Sequence, residues 1–334
     1  MIKLDEKNIV GYLKQLKIFE GVDWDMVKAT EVKENTNVNF VFVITLNSPR
    51  YKKIYIKQAF DFVKIAPDFP APIDRQEFEK LSIDYLQRFW EDRIPQVIHY
   101  DKKNNILIIT DMGQEAKLLA DEIKNGQLHF EIGADLGTMM AELHVPTFDK
   151  DDYPVRGKQA NEKHVDFIFD FRLRGAREEA SNETNKLFKL SKQTKTSMIY
   201  GDWASKNIFV AGNKIRLVDF ENLVRFDPAF DIGYALAHWV LDISQDNQLK
   251  MIEFFEDFEQ AYSKNWSQRN ELSEVLNRAS KYTDAMMLHR LAGIKNTNRM
   301  EEYLTRDVDL VGLAKNLAKF DHPKPSVSIT SLSF

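Results

Sequence analysis

The 334-residue chain contains no cysteine, which removes disulfide scaffolds, thiolate nucleophiles and cysteine metal sites from consideration. Glycine and proline are scarce, 13 and 10 in all, and no repeat or low-complexity tract interrupts the pattern of a folded chain. No apolar run approaches the ~20 residues that span a bilayer. Cationic excess is also missing: 46 Lys and Arg stand against 51 Asp and Glu, a net charge of −5. Such a balance offers no footprint for a nucleic-acid backbone. The opening Met1-Ile2-Lys3-Leu4-Asp5-Glu6-Lys7 lacks the apolar core of an export signal, so the expected location is the cytoplasm, with neither membrane nor nucleic acid as partner.

What is present is an ample core, 43% hydrophobic with 29% charged residues, at a length that suggests two lobes. The first third reads as mixed α and β. Residues 38–46 and 53–57 are β-branched and aromatic runs around the turn Asn47-Ser48-Pro49-Arg50. Asp74-Arg75-Gln76-Glu77 has the form of a capping box, and Phe78, Leu81, Tyr85 and Leu86 follow at helical spacing. Two further strands are expected at 95–100 and 105–110. After Asp111-Met112-Gly113 the periodicity turns helical, over 115–145, 160–190, 228–245, 247–265 and 270–294, with one β island at 207–220. The expected fold is α+β, with a small antiparallel sheet lobe over 1–112 and a larger, mostly helical lobe over 113–334.

The β island carries the chemistry. Ala211-Gly212-Asn213-Lys214 is a turn between two apolar runs, so Asn207 and Asp219 should fall opposite each other at the open end of a hairpin. Cross-strand neighbours lie ~5 Å apart, and an amide oxygen and a carboxylate at that distance can share a Mg²⁺, which prefers oxygen ligands. Asp202, five residues before Asn207, faces the same end. A carboxylate beside a metal held by an Asn and a later Asp is the arrangement that phosphoryl transfer uses to orient an attacking hydroxyl.

Tyr200-Gly201-Asp202 with Asn207, Val218-Asp219-Phe220-Glu221 and Phe226-Asp227-Pro228-Ala229-Phe230-Asp231-Ile232-Gly233 resemble the aminoglycoside phosphotransferase/choline kinase superfamily. The resemblance implies a protein-kinase-like fold with a helical substrate lobe, Asp202 as catalytic base, and Asn207 and Asp219 as Mg²⁺ ligands. Tyr200 stands where the family usually has His. Asp231 opens an apolar helix, where it suits an N-cap and could tether the catalytic loop; Asp227 and Asp231 are both expected to be structural.

The first lobe should then hold ATP. Lys57 closes a strand, as a lysine reaching the α and β phosphates does, and its expected partner is Glu79, because Glu77 already belongs to the capping box. Backbone groups of Thr110 and Met112 are placed to read an adenine edge. A glycine-rich phosphate loop is missing, and Asn35, Asn37 and Asn39 stand in its place; asparagine tolerates left-handed backbone and donates side-chain hydrogen bonds. That loop, with Ile56-Lys57-Gln58-Ala59, Ile73-Asp74-Arg75 and Glu79, is similar to the nucleotide lobe of 5-methylthioribose kinases. Met287-Leu288-His289-Arg290-Leu291-Ala292-Gly293-Ile294 resembles their substrate-binding helix, with His289 in place of the first of two arginines and Arg290 as the second. The catalytic hairpin departs from that family at Asn207, where it tends to have Ser, and in Asp219-Phe220-Glu221 for its Asp-Pro-Glu; Glu221 matches its metal-side Glu.

The acceptor is expected between the catalytic loop and helices around 160–190 and 278–295, with Trp203, His289 and Arg290 as contacts. The acidic stretch Glu253–Glu259 carries Phe254, Phe255 and Phe258 on one helix face, so its carboxylates read as a solvated face and not as a site for a cationic substrate. The resulting expectation is an ATP- and Mg²⁺-dependent kinase of a small hydroxylated metabolite, a 5-methylthioribose-like sugar. The alternatives are an aminoglycoside, choline-like or homoserine kinase, or a catalytically inactive nucleotide-binding protein. A protein acceptor is disfavoured, since no Asp-Phe-Gly to Ala-Pro-Glu segment occurs. Oligomeric state is not legible, a homodimer being one option.

Overall fold

The computed structural model describes residues 1–34, 36, 38–179, 181–242, 248–267 and 269–292. They form two compact units, one of residues 1–116 with 216–221 and the other of 117–215 with 222 onward. The first unit ends at Ala116 where the sequence places a boundary at 112. It also takes back Arg216–Glu221, so the β island does not belong wholly to the helical lobe.

The first unit is built on a five-stranded sheet in the order β1-β2-β3-β7-β6. Its strands are β1 (Lys28–Glu31), β2 (Phe40–Thr45), β3 (Lys53–Gln58), β6 (Val97–Asp101) and β7 (Ile106–Thr110), all pairing antiparallel. Alternation decides which side each residue serves. Phe42, Ile44, Ile54, Ile56, Ile106 and Ile108 are buried on one face with Ile9 and Leu13 of helix α1 (Ile9–Leu16). Lys57 follows Ile56 and therefore points to the other face, paired in register between Val41 and Leu107. Helix α2 (Arg75–Trp90) packs on β6 and β7. A short hairpin, β4 (Phe62–Val63) and β5 (Ala66–Pro70), precedes it. Three of these elements, α1, β1 and the β4–β5 hairpin, are absent from the sequence reading; the strands are too short to show a period, whereas Ile9, Tyr12 and Leu13 of α1 do recur at helical spacing.

The capping box expected at Asp74 is not formed. Asp74 precedes the helix without a side-chain cap bond, and Glu77 instead pairs with Lys102 at 2.8 Å on the surface. The buried stripe of α2 runs through Gln76, Glu79, Ile83, Leu86 and Trp90. A glutamate thus occupies a position where helical spacing demands an apolar side chain.

The second unit is mostly helical. It contains β8 (Lys117–Leu118), α3 (Leu119–Lys124), α4 (Gly133–Thr147), α5 (Lys158–Glu179), α6 (Ser181–Ser191), α7 (Ala229–Asp242), α8 (Gln248–Ser263) and α9 (Arg269–Ala292). The helix expected over 115–145 is broken between α3 and α4 by left-handed backbone at Gly126 (φ 78°) and His129 (φ 52°). The expected turn of the island is present: β10 (Ile208–Ala211) and β11 (Lys214–Leu217) flank Gly212, whose φ is 60°. β10 pairs with β8 through Phe209 and Leu118. A second pair, β9 (Ser197–Ile199) with β12 (Val224–Phe226), matches Ile199 to Val224. These two three-residue strands escape a periodicity reading, yet they fix the backbone immediately before Tyr200. None of the described helices is long and apolar enough to cross a membrane.

The helical unit depends on close approach at two glycines of α4. A Cβ on Gly133 would lie 2.6 Å from the Phe254 carbonyl oxygen, and one on Gly137 would lie 2.3 Å from that of Phe258. Glycine at this spacing lets α8 lie backbone to backbone on α4. Gly137→Ala is therefore expected to destabilise the protein by about 1–3 kcal/mol, seen as a lowered midpoint in thermal melting.

Candidate active site

In the first unit the functional side chains converge on Lys57. Its Nζ lies 2.6 Å from Glu79 Oε2 and 2.7 Å from Asp219 Oδ1, and it is almost wholly enclosed, 6% exposed. Burial alone would lower the ammonium's pKa; the carboxylates of Asp219, Glu79 and Glu221 outweigh it and hold Lys57 above its ordinary value. Glu79 responds the opposite way. Burial, opposed by Lys57 and reinforced by the like charges of Asp219 and Glu221, pushes its carboxyl up to about 7.

Glu79, Asp219 and Glu221 each bring an oxygen within 4.8 Å of the others. Three carboxyl groups face the Lys57 ammonium and the Arg75 guanidinium, 3.9 Å from Glu221 Oε2, at a place where charge is poorly screened. These are hard oxygen donors of the kind that bind a divalent cation. Asp219 is the most open of the three, its side chain 27% exposed, and it sits in left-handed backbone with φ 71°. A non-glycine residue in that region marks a backbone held by its surroundings. The holding contacts are visible. The Phe220 N–H donates to Glu79 Oε1 at 3.4 Å, and Arg216 donates to the carbonyls of Met112 and Gln114 at 3.3 and 2.6 Å.

Glu221 is held by the asparagine-rich segment. Asn39 Nδ2 donates to Glu221 Oε2 at 2.8 Å, and Asn39 Oδ1 accepts from Arg75 Nε at 3.1 Å. Arg75 also donates to the carbonyls of Phe60 and Pro72 at 2.9 and 2.5 Å. Thus both ends of the Asn39 amide already bond to protein. Asn35 and Asn37 lie outside the described residues. Thr110 is bound into the sheet edge: its N–H donates to the Gln96 carbonyl at 3.0 Å, and its hydroxyl accepts from the Gln96 N–H at 2.9 Å. Arg75 is the residue in this cluster whose role sequence reasoning left unassigned; the signal was an arginine at the start of α2 one helical turn before the inward-facing Glu79.

The second unit holds Asp202, 1% exposed, in the loop after β9. Its backbone carbonyl accepts from the Ala204 N–H at 2.7 Å and from Asn207 Nδ2 at 3.0 Å. Its carboxylate accepts from the Tyr234 hydroxyl at 2.9 Å through Oδ1, and Lys206 Nζ lies 3.7 Å from Oδ2. The preceding turn needs Gly201: its φ is 82°, and a Cβ would lie 3.1 Å from the Asn222 carbonyl oxygen. Asn207 belongs to this unit and Asp219 to the other.

Asp231 is not the N-cap of α7. The helix begins at Ala229, whose N–H donates to Asp227 Oδ1 at 3.1 Å, so Asp227 has the capping role. Asp231, one turn inside, tethers the loop: it accepts the N–H groups of Tyr200 and Gly201, both at 2.8 Å, and lies 3.2 Å from His144 Nε2.

Trp203 is corrected as an acceptor contact. It is fully buried, with its ring edge-on to Tyr200 at 5.2 Å, and so supports the loop from beneath. Hydrophobic burial of the largest side chain outweighs its display beside the base. His289 and Arg290 fall within α9, and their side chains are outside the described residues.

Residues 62–272 match the family described as "Phosphotransferase enzyme family". The methylthioribose kinase of Bacillus mycoides (strain KBAB4) is 24% identical over 287 residues, covering 75% of this chain and 70% of that protein. Among solved structures, the chain is similar to amicoumacin kinase hAmiN in complex with AMP-PNP, Ca²⁺ and Ami, at a TM-score of 0.55 and 15% identity over 95% of this chain and 96% of that one. It is similar also to an ethanolamine kinase of Plasmodium vivax, at a TM-score of 0.54 and 15% identity over 95% and 89%. At these identities the structural likeness establishes the fold, the α+β arrangement of kinase type.

The tether makes its own prediction. In Asp231→Asn an amide NH₂ replaces one of two oxygens facing backbone N–H donors, leaving a buried donor unpaired. The expected loss is about 1–3 kcal/mol, measured as a shift in the urea midpoint at unchanged slope.

Proposed function

We propose, from the premise that this chain belongs to the phosphotransferase enzyme family and is a small-molecule kinase, that it transfers the γ-phosphoryl group of ATP, with Mg²⁺, to a hydroxyl of a 5-methylthioribose-like sugar. The observation that carries the kinase chemistry is the buried Lys57 bridging Glu79 and Asp219. An enclosed ammonium beside a partly open aspartate suits the task of holding nucleotide phosphates and their metal. The acceptor reading is supported by the likeness to methylthioribose kinases and by the glycine-poor segment around Asn39.

The residues divide the work. Lys57, kept charged by its neighbours, holds the α and β phosphates, while Glu79 fixes its position. Asp219 and Glu221 would hold Mg²⁺, since their oxygens fit a hard cation; Asn207 is assigned to the same ion by the sequence resemblance alone. When bound, that ion neutralises charge on the β and γ phosphates. Asp202 receives the hydrogen bond of the attacking hydroxyl and takes its proton as the new O–P bond forms and ADP departs. In a loose transition state its main contribution is orientation. Asn39 serves the phosphate site through its hydrogen bond to Glu221, and the backbone of Thr110 and Met112 is assigned to the adenine; the assignments of Asn35 and Asn37 to the phosphates and of His289 and Arg290 to the sugar rest on the sequence resemblance alone.

The test is ATP consumption against a panel of 5-methylthioribose, ribose, choline, homoserine and several aminoglycosides. Selective turnover of 5-methylthioribose is the expected result; turnover of another acceptor, or of none, would displace the sugar reading and leave the kinase fold standing. With the acceptor in hand, Asp202→Ala should reduce turnover at least about 100-fold and leave ATP affinity within a few-fold. Asp219→Ala should instead abolish the Mg²⁺ dependence of ATP-analogue binding in calorimetry. Retention of Mg²⁺-coupled binding would show that Asp219 is not a metal ligand.

A further inference from the structure

Helix α7 carries a polar stripe that follows the catalytic loop residue by residue. Asp231, Tyr234, His238 and Asp242 share one helix face, separated by three or four positions. Asp231 takes the N–H groups of Tyr200 and Gly201. Asp242, at the far end, accepts from Ser205 Oγ at 2.9 Å. Between these two anchors Tyr234 reaches the one side chain of the loop to which the chemistry is assigned, donating to Asp202 Oδ1 at 2.9 Å.

Tyr234 is itself held rigidly. It is 1% exposed, its ring lies parallel to Phe230 at 6.2 Å, and the His238 ring lies 4.6 Å away. A hydroxyl on so fixed a ring offers its hydrogen bond in a single direction. A carboxylate turns about its last bond over a broad range. Clamping one oxygen fixes the carboxylate plane and so sets the direction of the other.

We propose that Tyr234 is the positioning residue of the catalytic aspartate: its hydroxyl holds Oδ1 and so sets the orientation of the carboxylate. The inference rests on the kinase reading above. It extends that reading to a residue outside the motifs that carry the family resemblance. Lys206 Nζ lies 3.7 Å from Oδ2.

Tyr234→Phe removes the hydroxyl and keeps the ring packing. With 5-methylthioribose as acceptor, kcat should fall about tenfold, with KM for ATP within twofold and a melting midpoint lowered by no more than the loss of one buried hydrogen bond. An unaltered kcat overturns the proposal. So does a parallel loss of kcat, ATP affinity and stability, which a merely structural role would produce. A second measurement needs no turnover and separates this proposal from the choice of acceptor. In protein labelled with 3-fluorotyrosine, the ¹⁹F resonance absent from Tyr234→Phe identifies Tyr234, and it should move in Asp202→Ala protein that melts as the wild type does. A resonance that stays in place shows that the hydroxyl does not bond to Asp202 and overturns the proposal even if the kinase reading stands. Movement of the resonance in a protein that phosphorylates none of the panel supports the contact while the acceptor reading falls.

Discussion

One buried ammonium keeps the working end of the first unit together. Without the charge of Lys57, the carboxylates of Glu79, Asp219 and Glu221 would repel one another within 4.8 Å in surroundings that screen poorly. Strand alternation puts Lys57 on the face of the sheet away from Ile56, and the stripe of α2 puts Glu79 on the inward side of its helix. The ion pair therefore couples the sheet to the helix. Asp219 joins the same pair through a turn in left-handed backbone, which the Phe220 N–H on Glu79 holds in place. The segment Arg216–Glu221 is consequently part of the sheet unit although the chain on either side of it belongs to the helical one.

In the helical unit the corresponding constraint is helix α7. Its polar stripe supplies acceptors to a loop that has little regular structure of its own, and Asp231 carries the largest share by accepting two consecutive backbone donors. A loop with obligatory polar groups can be buried only where such partners exist. The loop is further supported by Trp203, which fills space beneath it, and by the β9–β12 pairing that delivers Tyr200 to its position. Catalytic groups need this kind of support, since small displacements of an orienting carboxylate cost rate.

Some local features were legible in the sequence, and for physical reasons. Glu79 was preferred over Glu77 as the partner of Lys57, and the ion pair is present. The turn at Gly212 was evident from its residues. Other features were not legible. The capping box at Asp74 matches a pattern of residue types, but Glu77 finds a better electrostatic partner in Lys102, distant in sequence. Asp231 was read as a cap because it begins an apolar run, whereas the helix starts two residues earlier at Ala229. Trp203 was read as an acceptor contact because of its neighbour, and burial decided otherwise. Strands as short as β9 and β12 carry no periodicity at all.

The sequence by itself determined the class of chemistry and the residue types that serve it, because phosphoryl transfer requires a carboxylate, metal-binding oxygens and a cation at spacings that local structure enforces. It determined also which faces of strands and helices are apolar, since that follows from periods of two and 3.6. Tertiary structure alone decided which polar groups meet: that Asn39 and Arg75 hold Glu221, that Asp231 holds two backbone donors, and that Tyr234 holds Asp202. Those pairings join residues 30 to 182 positions apart. No local pattern encodes them, because each hydrogen bond depends on where packing of apolar surface has brought two distant segments.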